Sequence, residues 1–119
     1  MHRDNGRPRM FVEQRTYTLV PGGVAEYLRL YAECGRGPQE HALGTMVGCF
    51  AMEIGPLNQL VYLWAFDSLD DRARRRAVLM ADPEFRTFRG KVRHLLVRQE
   101  NQILRQEIGG LLRAPPPAA

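Results

Sequence analysis

Apolar and polar residues follow two different periods along the chain, and the period changes at turn-forming residues. Residues 10–19 are rich in β-branched and aromatic residues and precede a Pro-Gly-Gly sequence, which predicts a strand. Residues 45–54 and 59–66 have a similar composition, and the four residues 55–58 between them are typical of a hairpin loop. The pattern therefore predicts three strands in the first 66 residues.

A helical period separates the first strand from the second. Apolar residues recur every three or four positions from about 23 to 34, which predicts an amphipathic helix. Gly35, Gly37 and Pro38 follow, and residues of this kind commonly end a helix. We therefore expect the helix to stop there and residues 39–42 to form a short turn.

A second helical region, in two pieces, follows the third strand. Ser68 is the expected N-cap of the first piece, and Asp82 with Pro83 begins the second. The buried stripe predicted for the first piece consists of Leu69, Ala73, Ala77 and Met80. The stripe predicted for the second piece consists of Phe85, Phe88, Val92, Leu95 and Leu96.

The last periodic segment, about 98 to 106, is interpreted as a fourth strand, with a continued helix as the alternative. Residues 1–9 and the Pro-rich residues 108–119 are expected to be flexible, which leaves one domain over 10–107. The order strand, helix, strand, strand, helix, strand predicts an α+β, ferredoxin-like βαββαβ fold. Such a fold has an antiparallel four-stranded sheet with helices on one face.

The two faces of the predicted hairpin carry different side chains. A four-residue loop pairs Ile54 with Gln59, and pairing outward from there groups residues by face. Phe50, Met52, Val61 and Leu63 are expected to face the helices. The opposite face would then carry Glu53, Tyr62 and Trp64. Because exposed aromatic side chains on one sheet face are a liability for a monomer, we expect two copies to pair sheet to sheet around a cavity.

The order of several short sequence patterns resembles the NIPSNAP family. The patterns are Glu13-Gln14-Arg15-Thr16-Tyr17 before Pro21-Gly22, Glu53-Ile54-Gly55-Pro56-Leu57-Asn58-Gln59 before Leu63-Trp64, then Ser68-Leu69-Asp70, Asp82-Pro83 and Gln99-Glu100. The resemblance covers about residues 10 to 106. It implies a dimeric α+β barrel, a superfamily that includes cofactor-free monooxygenases and small-molecule lyases. It implies no agreed activity, because NIPSNAP proteins have none.

Two positions depart from the pattern of that family. Relatives usually carry His-Leu-Trp in the third strand, whereas this chain has Tyr62-Leu63-Trp64, and Phe85 stands where tryptophan is common. The histidine would be the most obvious general base or metal ligand of the family. Its replacement weakens any catalytic role carried over from the resemblance.

The candidate site is a group of polar and aromatic residues expected on the cavity-facing sheet surface: Glu13, Arg15, Glu53, Tyr62 and Trp64. An arginine can orient a carboxylate or enolate, and a glutamate in a partly apolar cavity can move a proton. The catalytic candidates are Arg15, Glu53 and Tyr62. The alternative, which we favour, is that Arg15 pairs with Glu13 or Glu53 while the aromatic rings fill an interface.

The charge pattern and the histidines give no sign of a nucleic-acid, phosphate or metal site. The net charge is +4, half of it from residues 1–9, so the predicted domain has no basic stripe typical of nucleic-acid binding. The four arginines between 72 and 76 are interpreted as a solvated helix face rather than a phosphate site. His41 and His94 have no partners at metal-ligand spacing, so we expect no metal and no cofactor.

The sequence also predicts a compartment and leaves two functions open. No apolar run is long enough to span a membrane, and the two cysteines are expected to be small buried residues, which is typical of a cytoplasmic protein. Two functions stay open: a homo-oligomeric protein whose cavity binds a small apolar or aromatic ligand, and a cofactor-independent monooxygenase- or isomerase-like enzyme. Nucleic-acid binding is a third, weaker hypothesis.

Overall fold

We describe the fold from a computed structural model, in which residues 10–109 are placed. The predicted segment 1–9 and all but two residues of the predicted tail 108–119 lie outside the described residues. The strands and helices are, in chain order, β1 (Phe11–Leu19), α1 (Gly23–Leu30), a π-helical turn (Tyr31–Gly35), α2 (Arg36–Leu43), β2 (Thr45–Ala51), β3 (Gln59–Phe66), α3 (Leu69–Ala81), α4 (Pro83–Val92), a 3₁₀ turn (Arg93–Leu95) and β4 (Leu96–Arg105).

The four strands form one antiparallel sheet in the order β2-β3-β1-β4. β1 lies in the centre and pairs with β3 on one side and β4 on the other. The predicted ferredoxin-like βαββαβ order and the α+β class are confirmed, and residues 98–106 are strand rather than helix as far as Arg105. The sheet order follows from the split βαβ arrangement, in which β3 inserts between β1 and β2.

The hairpin loop is longer than predicted. β2 ends at Ala51 and β3 begins at Gln59, so the connection runs over residues 52–58. Asn58 adopts a left-handed conformation with φ 64°, and its carbonyl accepts a hydrogen bond from the Leu19 amide at 2.8 Å. This anchor to the end of β1 fixes the longer loop, and Phe50 therefore pairs with Val61 instead of Leu63.

The sequence-based prediction of which side chains of the hairpin face the helices is wrong. Tyr62 and Trp64 are 1% and 0% exposed and face the helices, whereas Val61 and Leu63 lie on the open face of the sheet with Phe50. The sequence pattern is compatible with both choices, because both rows are apolar. The row with the larger rings removes more apolar surface from water when it is buried, and that difference decides the face.

The helix that follows β1 does not stop at Gly35. One π-helical turn continues it into α2, in which Pro38 lies in the first turn and residues 39–42 are helical. The extra residue of the π turn restarts the hydrogen-bond register, so the missing N–H of Pro38 falls where a helix needs no donor. The predicted turn at 39–42 is therefore wrong, and these residues belong to α2.

The two N-caps of the later helices are confirmed. The Ser68 hydroxyl accepts from the Asp71 amide at 2.9 Å, and the Asp82 carboxylate accepts from the Phe85 amide at 3.0 Å. The buried residues predicted for α4 are also confirmed at Phe85, Phe88 and Val92. Both caps satisfy amide groups that a helix start leaves without partners.

The buried stripe predicted for α3 is wrong at Leu69, Ala73 and Ala77, whereas Met80 packs against the core as expected. Leu69 is 52% exposed, and Ala73 and Ala77 are exposed as well. The helix instead turns Arg72 and Leu79 inward, one towards Glu13 on β1 and the other into the core. An inward arginine needs an acid to receive it, and Glu13 provides that acid.

Aromatic rings form the centre of the core between helices and sheet. Tyr17 and Tyr62 on the sheet lie 5.5 Å apart by ring centroids, and Tyr31 contacts both Tyr62 and Phe88 edge to face. Tyr27 packs edge to face on Phe88 at 5.6 Å. Pairs of this kind contribute about 1 kcal/mol each beyond the area that they bury. They tie α1, the π turn and α4 to the sheet.

Candidate functional site

A cavity of about 340 Å³ lies between the helices and the sheet, near the β4 edge. Its walls come from β1, α1, α2, α3, α4, the 3₁₀ turn and β4. The residues that line it are Arg15, Tyr17, Tyr27, Gln39, Arg76, Met80, Phe85, Phe88, Arg89, Val92, Arg93, Leu96, Val97, Arg98 and Gln99. This volume is at the lower end of the range for small-molecule sites.

The lining residues differ between the interior and the mouth of the cavity. The buried ones are mainly aromatic: Tyr17, Tyr27, Phe85 and Phe88. The exposed ones are mainly arginines with Val97 and Gln99, which places them at the mouth. The cavity therefore has an apolar interior and a positively charged entrance.

Two hydrogen bonds to neighbouring side chains of β1 hold the Arg15 guanidinium in place. Its Nη1 donates to the Glu13 carboxylate at 2.9 Å, and its Nε donates to the Tyr17 hydroxyl at 2.9 Å. These partners alternate with Arg15 along β1, so all three side chains share the helix-facing side of the strand. Burial alone would lower the Arg15 pKa, but the Tyr17 oxygen and the Glu13 carboxylate outweigh burial and raise it.

Glu13 is the carboxylate that organises this region. It is 0% exposed, and the same oxygen accepts from Arg15 and from Arg72 Nη2 of α3 at 2.7 Å. Burial by itself raises the Glu13 pKa, but the Arg72 hydrogen bond and the Arg15 charge outweigh burial and leave the pKa below its usual range. Glu13 is therefore ionised at neutral pH and joins β1 to α3.

Arg76 lines the cavity one helical turn beyond Arg72. Its guanidinium makes no hydrogen bond or ion pair with any other residue in the 10–109 range. Desolvation by burial, followed by the charge of Arg15, lowers the Arg76 pKa. Arg76 is thus a partly buried cation next to the cation Arg15, and no acid of the described chain pairs with it.

The structure brings together only part of the predicted site. Glu13 and Arg15 form the expected ion pair, and Arg15 reaches the cavity. Glu53 lies exposed in the loop between β2 and β3, away from both. Tyr62 and Trp64 are buried in the core and do not line the cavity. This cavity lies on the helix-covered face of the sheet, whereas the cavity expected between two copies involves the open face and stays a prediction.

Tyr62 and Trp64 each carry a polar group that is buried in the apolar core. Tyr62 lies beside Cys49, its partner on β2, and burial raises the pKa of both groups. The indole N–H of Trp64 has no hydrogen-bond partner among residues 10–109. Neither side chain is placed to transfer a proton to a ligand in the cavity.

Sequence reasoning missed Arg72 and Arg76, which it assigned to a solvated helix face. Both residues lie on the inward side of α3, four positions apart, and Leu79 continues the same side. One signal was available in the sequence: the helix-facing row of β1 carries an acid, Glu13, which a buried sheet face tolerates only with a cationic partner.

A second cavity of about 510 Å³ lies beside β2, on the other edge of the sheet. Arg36 and Cys49 contribute to its lining. The other lining side chains are mainly apolar: Leu28, Tyr31, Ala32, Met46, Ala51 and Leu60. Its lining, as far as the described residues form it, contains fewer polar groups than that of the first cavity and only one charged side chain, Arg36. The first cavity is therefore the better candidate for a specific site.

Neither a metal-binding cluster nor a membrane-spanning helix is found among residues 10–109. No group of three or more histidine, cysteine, aspartate or glutamate side chains there is arranged to hold a metal ion. None of the helices described there is both long and apolar enough to cross a membrane. Cys34 and Cys49 are both free thiols.

Comparison with solved structures places the fold among known proteins. A NIPSNAP family protein of unknown function from Agrobacterium tumefaciens is 45% identical, with a TM-score of 0.81 over 89% of this chain and 94% of that chain. A candidate antibiotic biosynthesis monooxygenase from Caulobacter crescentus is 11% identical, with a TM-score of 0.62 over 82% of this chain and 89% of that chain. The second likeness concerns the fold alone.

Comparison with curated proteins and family models gives the same assignment. The Protein NipSnap homolog of Dictyostelium discoideum is 32% identical over 71 residues, which is 60% of this chain and 31% of that protein. This chain therefore aligns with about a third of the curated relative. The NIPSNAP family model matches residues 12–107, most of the chain. The chain belongs to the NIPSNAP family.

Proposed function

We propose that this NIPSNAP protein binds a small molecule with an apolar or aromatic body in the cavity between its helices and sheet. The observation that carries the proposal is the cavity itself, about 340 Å³, with buried rings inside and polar groups at its mouth. Few polar groups in an otherwise apolar pocket are typical of small-molecule sites. The biochemical role of the family is unknown, and the shape and lining of the cavity are what indicate the class of ligand.

Binding is better supported than proton-transfer chemistry. None of the lining residues, all of which belong to the described chain, is an aspartate, glutamate, histidine, lysine or cysteine. An isomerase- or monooxygenase-like reaction that begins by removing a proton needs an acceptor within hydrogen-bond reach. Arg15 and Tyr17 could stabilise a bound oxyanion, which is the feature that keeps the enzymatic alternative open to test.

A variant that closes the mouth tests the proposal. Val97 is 64% exposed and lines the cavity, so Val97→Trp should fill the entrance without disturbing the core. We expect aromatic probes, benzoate and benzamide among them, to raise the melting temperature of the wild type and to have a much smaller effect on Val97→Trp. Calorimetric titration would confirm the loss of binding.

The matched control for this variant is Val47→Trp. Val47 is also a partly exposed valine on an edge strand, but it lies on β2 and does not line the cavity. It should respond to the probes like the wild type. Equal responses of Val97→Trp and Val47→Trp would contradict the proposal, and release of a transformed product would favour the enzyme.

We also propose that two copies associate through the open face of the sheet. The support is the apolar character of that face, where Phe50 and Leu104 are exposed and Val61 and Leu63 are half-buried. Such a face is a liability unless it is covered. This association would leave the cavity, on the opposite face, accessible in each copy.

A cytoplasmic location is a further part of the proposal. It is supported by Cys34 and Cys49, whose thiols are free in the fold, as is usual in a reducing compartment. Fractionation of the producing cells would test it, and recovery of the protein outside the cytoplasmic fraction would contradict it.

A further inference from the structure

We infer that the ligand of the cavity carries a carboxylate, which Arg15 and Arg76 bind while the aromatic interior holds its apolar body. This inference rests on the proposed small-molecule function and specifies its ligand class. Three independent features of the site support it: an excess of positive charge, a donor set that is already oriented, and an interior too apolar for a bare inorganic ion.

The buried and half-buried charges around the cavity do not balance. Glu13 supplies one negative charge, and Arg15, Arg72 and Arg76 supply three positive charges in the same region. No carboxylate lines the cavity in the described part of the chain. Buried cations without a partner are costly, so this arrangement is explained if an anion from outside completes it.

Arg76 is the residue that shows this deficit most clearly. Arg74 and Arg75, its neighbours on α3, pair with Asp71, and Arg72 pairs with Glu13. Arg76 has no such partner within the described range 10–109, although burial and the nearby Arg15 charge both disfavour its protonated form. An arginine that served only solubility would extend into solvent. Arg76 instead lines an apolar cavity beside Arg15.

The donors at the site are oriented before a ligand arrives. Glu13 and the Tyr17 hydroxyl hold Arg15 by Nη1 and Nε, which leaves Nη2 without a hydrogen bond to any of residues 10–109. The Tyr17 oxygen accepts from Arg15, so its own proton is available to a ligand oxygen. A planar guanidinium held in this way suits the two oxygens of a carboxylate.

The rest of the cavity selects an organic anion. Tyr17, Tyr27, Phe85 and Phe88 form a ring-lined interior next to these donors. A bare phosphate or sulfate would leave those rings without contact, whereas a carboxylate attached to one ring or a short apolar chain contacts both parts. The volume of about 340 Å³ suits a compound of that size.

The test compares a carboxylate with an uncharged molecule of the same shape. Benzoate and benzamide share a ring and a planar polar group, and only benzoate is charged. We expect the full-length protein to bind benzoate at least about tenfold more tightly than benzamide in calorimetric titrations, a preference that corresponds to about 1.4 kcal/mol. Inorganic phosphate is the third probe and should bind more weakly than benzoate.

Substitution of Arg76 links the preference to the site. In Arg76→Gln, the ratio of benzoate to benzamide affinity should fall by about tenfold, since charge-assisted hydrogen bonds are lost. The matched control Arg74→Gln removes an exposed arginine of the same helix that does not line the cavity, and it should keep the wild-type ratio. Without ligand, Arg76→Gln should unfold at the same temperature as the wild type or higher, which a purely structural arginine would not show.

The outcomes separate this inference from the function on which it rests. If benzamide binds as tightly as benzoate, or if Arg76→Gln weakens both equally, the carboxylate assignment is wrong although the cavity still binds ligands. Phosphate that binds as tightly as benzoate would also overturn it. If neither benzoate nor benzamide binds, and a broad set of aromatic probes is equally inert in the wild type and in Val97→Trp, the proposed function itself fails.

Discussion

A single carboxylate oxygen on Glu13 receives hydrogen bonds from arginines of two different elements. Arg15 comes from the same strand and Arg72 from α3, and both contacts are shorter than 3 Å. The pairing keeps a buried acid charged and aligns the arginine that enters the cavity. One residue therefore contributes both to stability and to the geometry of the site.

Replacing Glu13 by glutamine tests its contribution to stability. Glu13→Gln keeps the shape but leaves two buried or half-buried arginines without their anion, so we expect a loss of about 3 kcal/mol in the free energy of unfolding. Urea denaturation at neutral pH measures it. The control is Glu100→Gln, which removes a half-exposed acid paired with Arg98 and should cost less than about 1 kcal/mol. Equal losses in the two variants would show that the buried pair is not stabilising.

The lowered pKa of Glu13 also predicts the direction of a pH effect. Because the pKa is lower in the folded than in the unfolded chain, the stabilisation is complete above the ordinary glutamate pKa of about 4.3 and is lost as the pH falls through the folded-state value. The difference in unfolding free energy between wild type and Glu13→Gln should therefore be constant from about pH 7 to 5 and shrink in more acidic solution. A difference that grows on acidification would contradict the assignment.

The sequence identifies some of these residues but not their surroundings. It singles out Glu13 and Arg15 because charges alternate with β-formers in the first strand. It cannot show that Arg72 and Arg76 turn inward, since an arginine run on a helix is usually solvated and the apolar alternative stripe of Leu69 and Ala73 satisfies the same period. The choice depends on the acid across the interface, which is a tertiary contact.

At the scale of elements, the π-helical turn between α1 and α2 has a packing cause. A Cβ built on Gly35 would lie 2.9 Å from the rings of both Phe88 and Tyr31. The absence of a side chain there lets α4 approach the turn closely and brings Phe88 against Tyr27 and Tyr31. The irregular turn therefore shapes the wall of the cavity.

Two glycines in this region allow a matched test. Gly35→Ala should lower the free energy of unfolding by about 1–3 kcal/mol, because the rings must shift to admit a methyl group. Gly37→Ala adds the same methyl group one residue into the following helix, where nothing lies within 4 Å. It should be neutral or stabilise by up to about 1 kcal/mol, since alanine is the better helix former. Thermal and urea unfolding of the two variants gives the comparison, and equal effects would refute the packing argument.

Prediction from sequence was more successful for element boundaries set by local chemistry. The caps at Ser68 and Asp82 depend on hydrogen bonds within four residues, and both were found. The π turn was missed because Gly35 and Pro38 are usual helix-ending residues, and only the ring contacts of Gly35 explain why the helix continues. Local signals fail where a distant ring determines the backbone.

At the scale of the whole molecule, the order of strands and helices along the chain and the ferredoxin-like fold followed from the sequence, whereas the choice of buried face did not. Both rows of β3 are apolar, so a period of two fixes which residues share a face but not which face is covered. The consequence for function is large. Because Tyr62 and Trp64 face the helices, the open face carries Phe50 and Leu63 instead, and the cavity lined by Arg15 and Arg76 lies within a single copy.

The open face of the sheet is the surface through which we expect two copies to associate. Phe50 is 53% exposed, and its ring lies over Gly48, where a Cβ would be 2.6 Å away, so the ring is laid along the sheet surface. A flat apolar surface of this kind is suited to a second sheet. Phe50→Glu places a charge on each side of that contact and should shift the protein from dimer to monomer in sedimentation velocity at micromolar concentration.

The control for Phe50→Glu is Val78→Glu, which adds the same charge at an exposed valine of α3 away from the sheet. It should sediment like the wild type. Because the cavity lies on the opposite face from Phe50, a monomeric Phe50→Glu protein should still bind benzoate with an affinity close to that of the wild type. A wild type that is already monomeric, or a Phe50→Glu variant that stays dimeric, would exclude this face as the contact between copies, and loss of benzoate binding on dissociation would show that the cavity depends on the second copy.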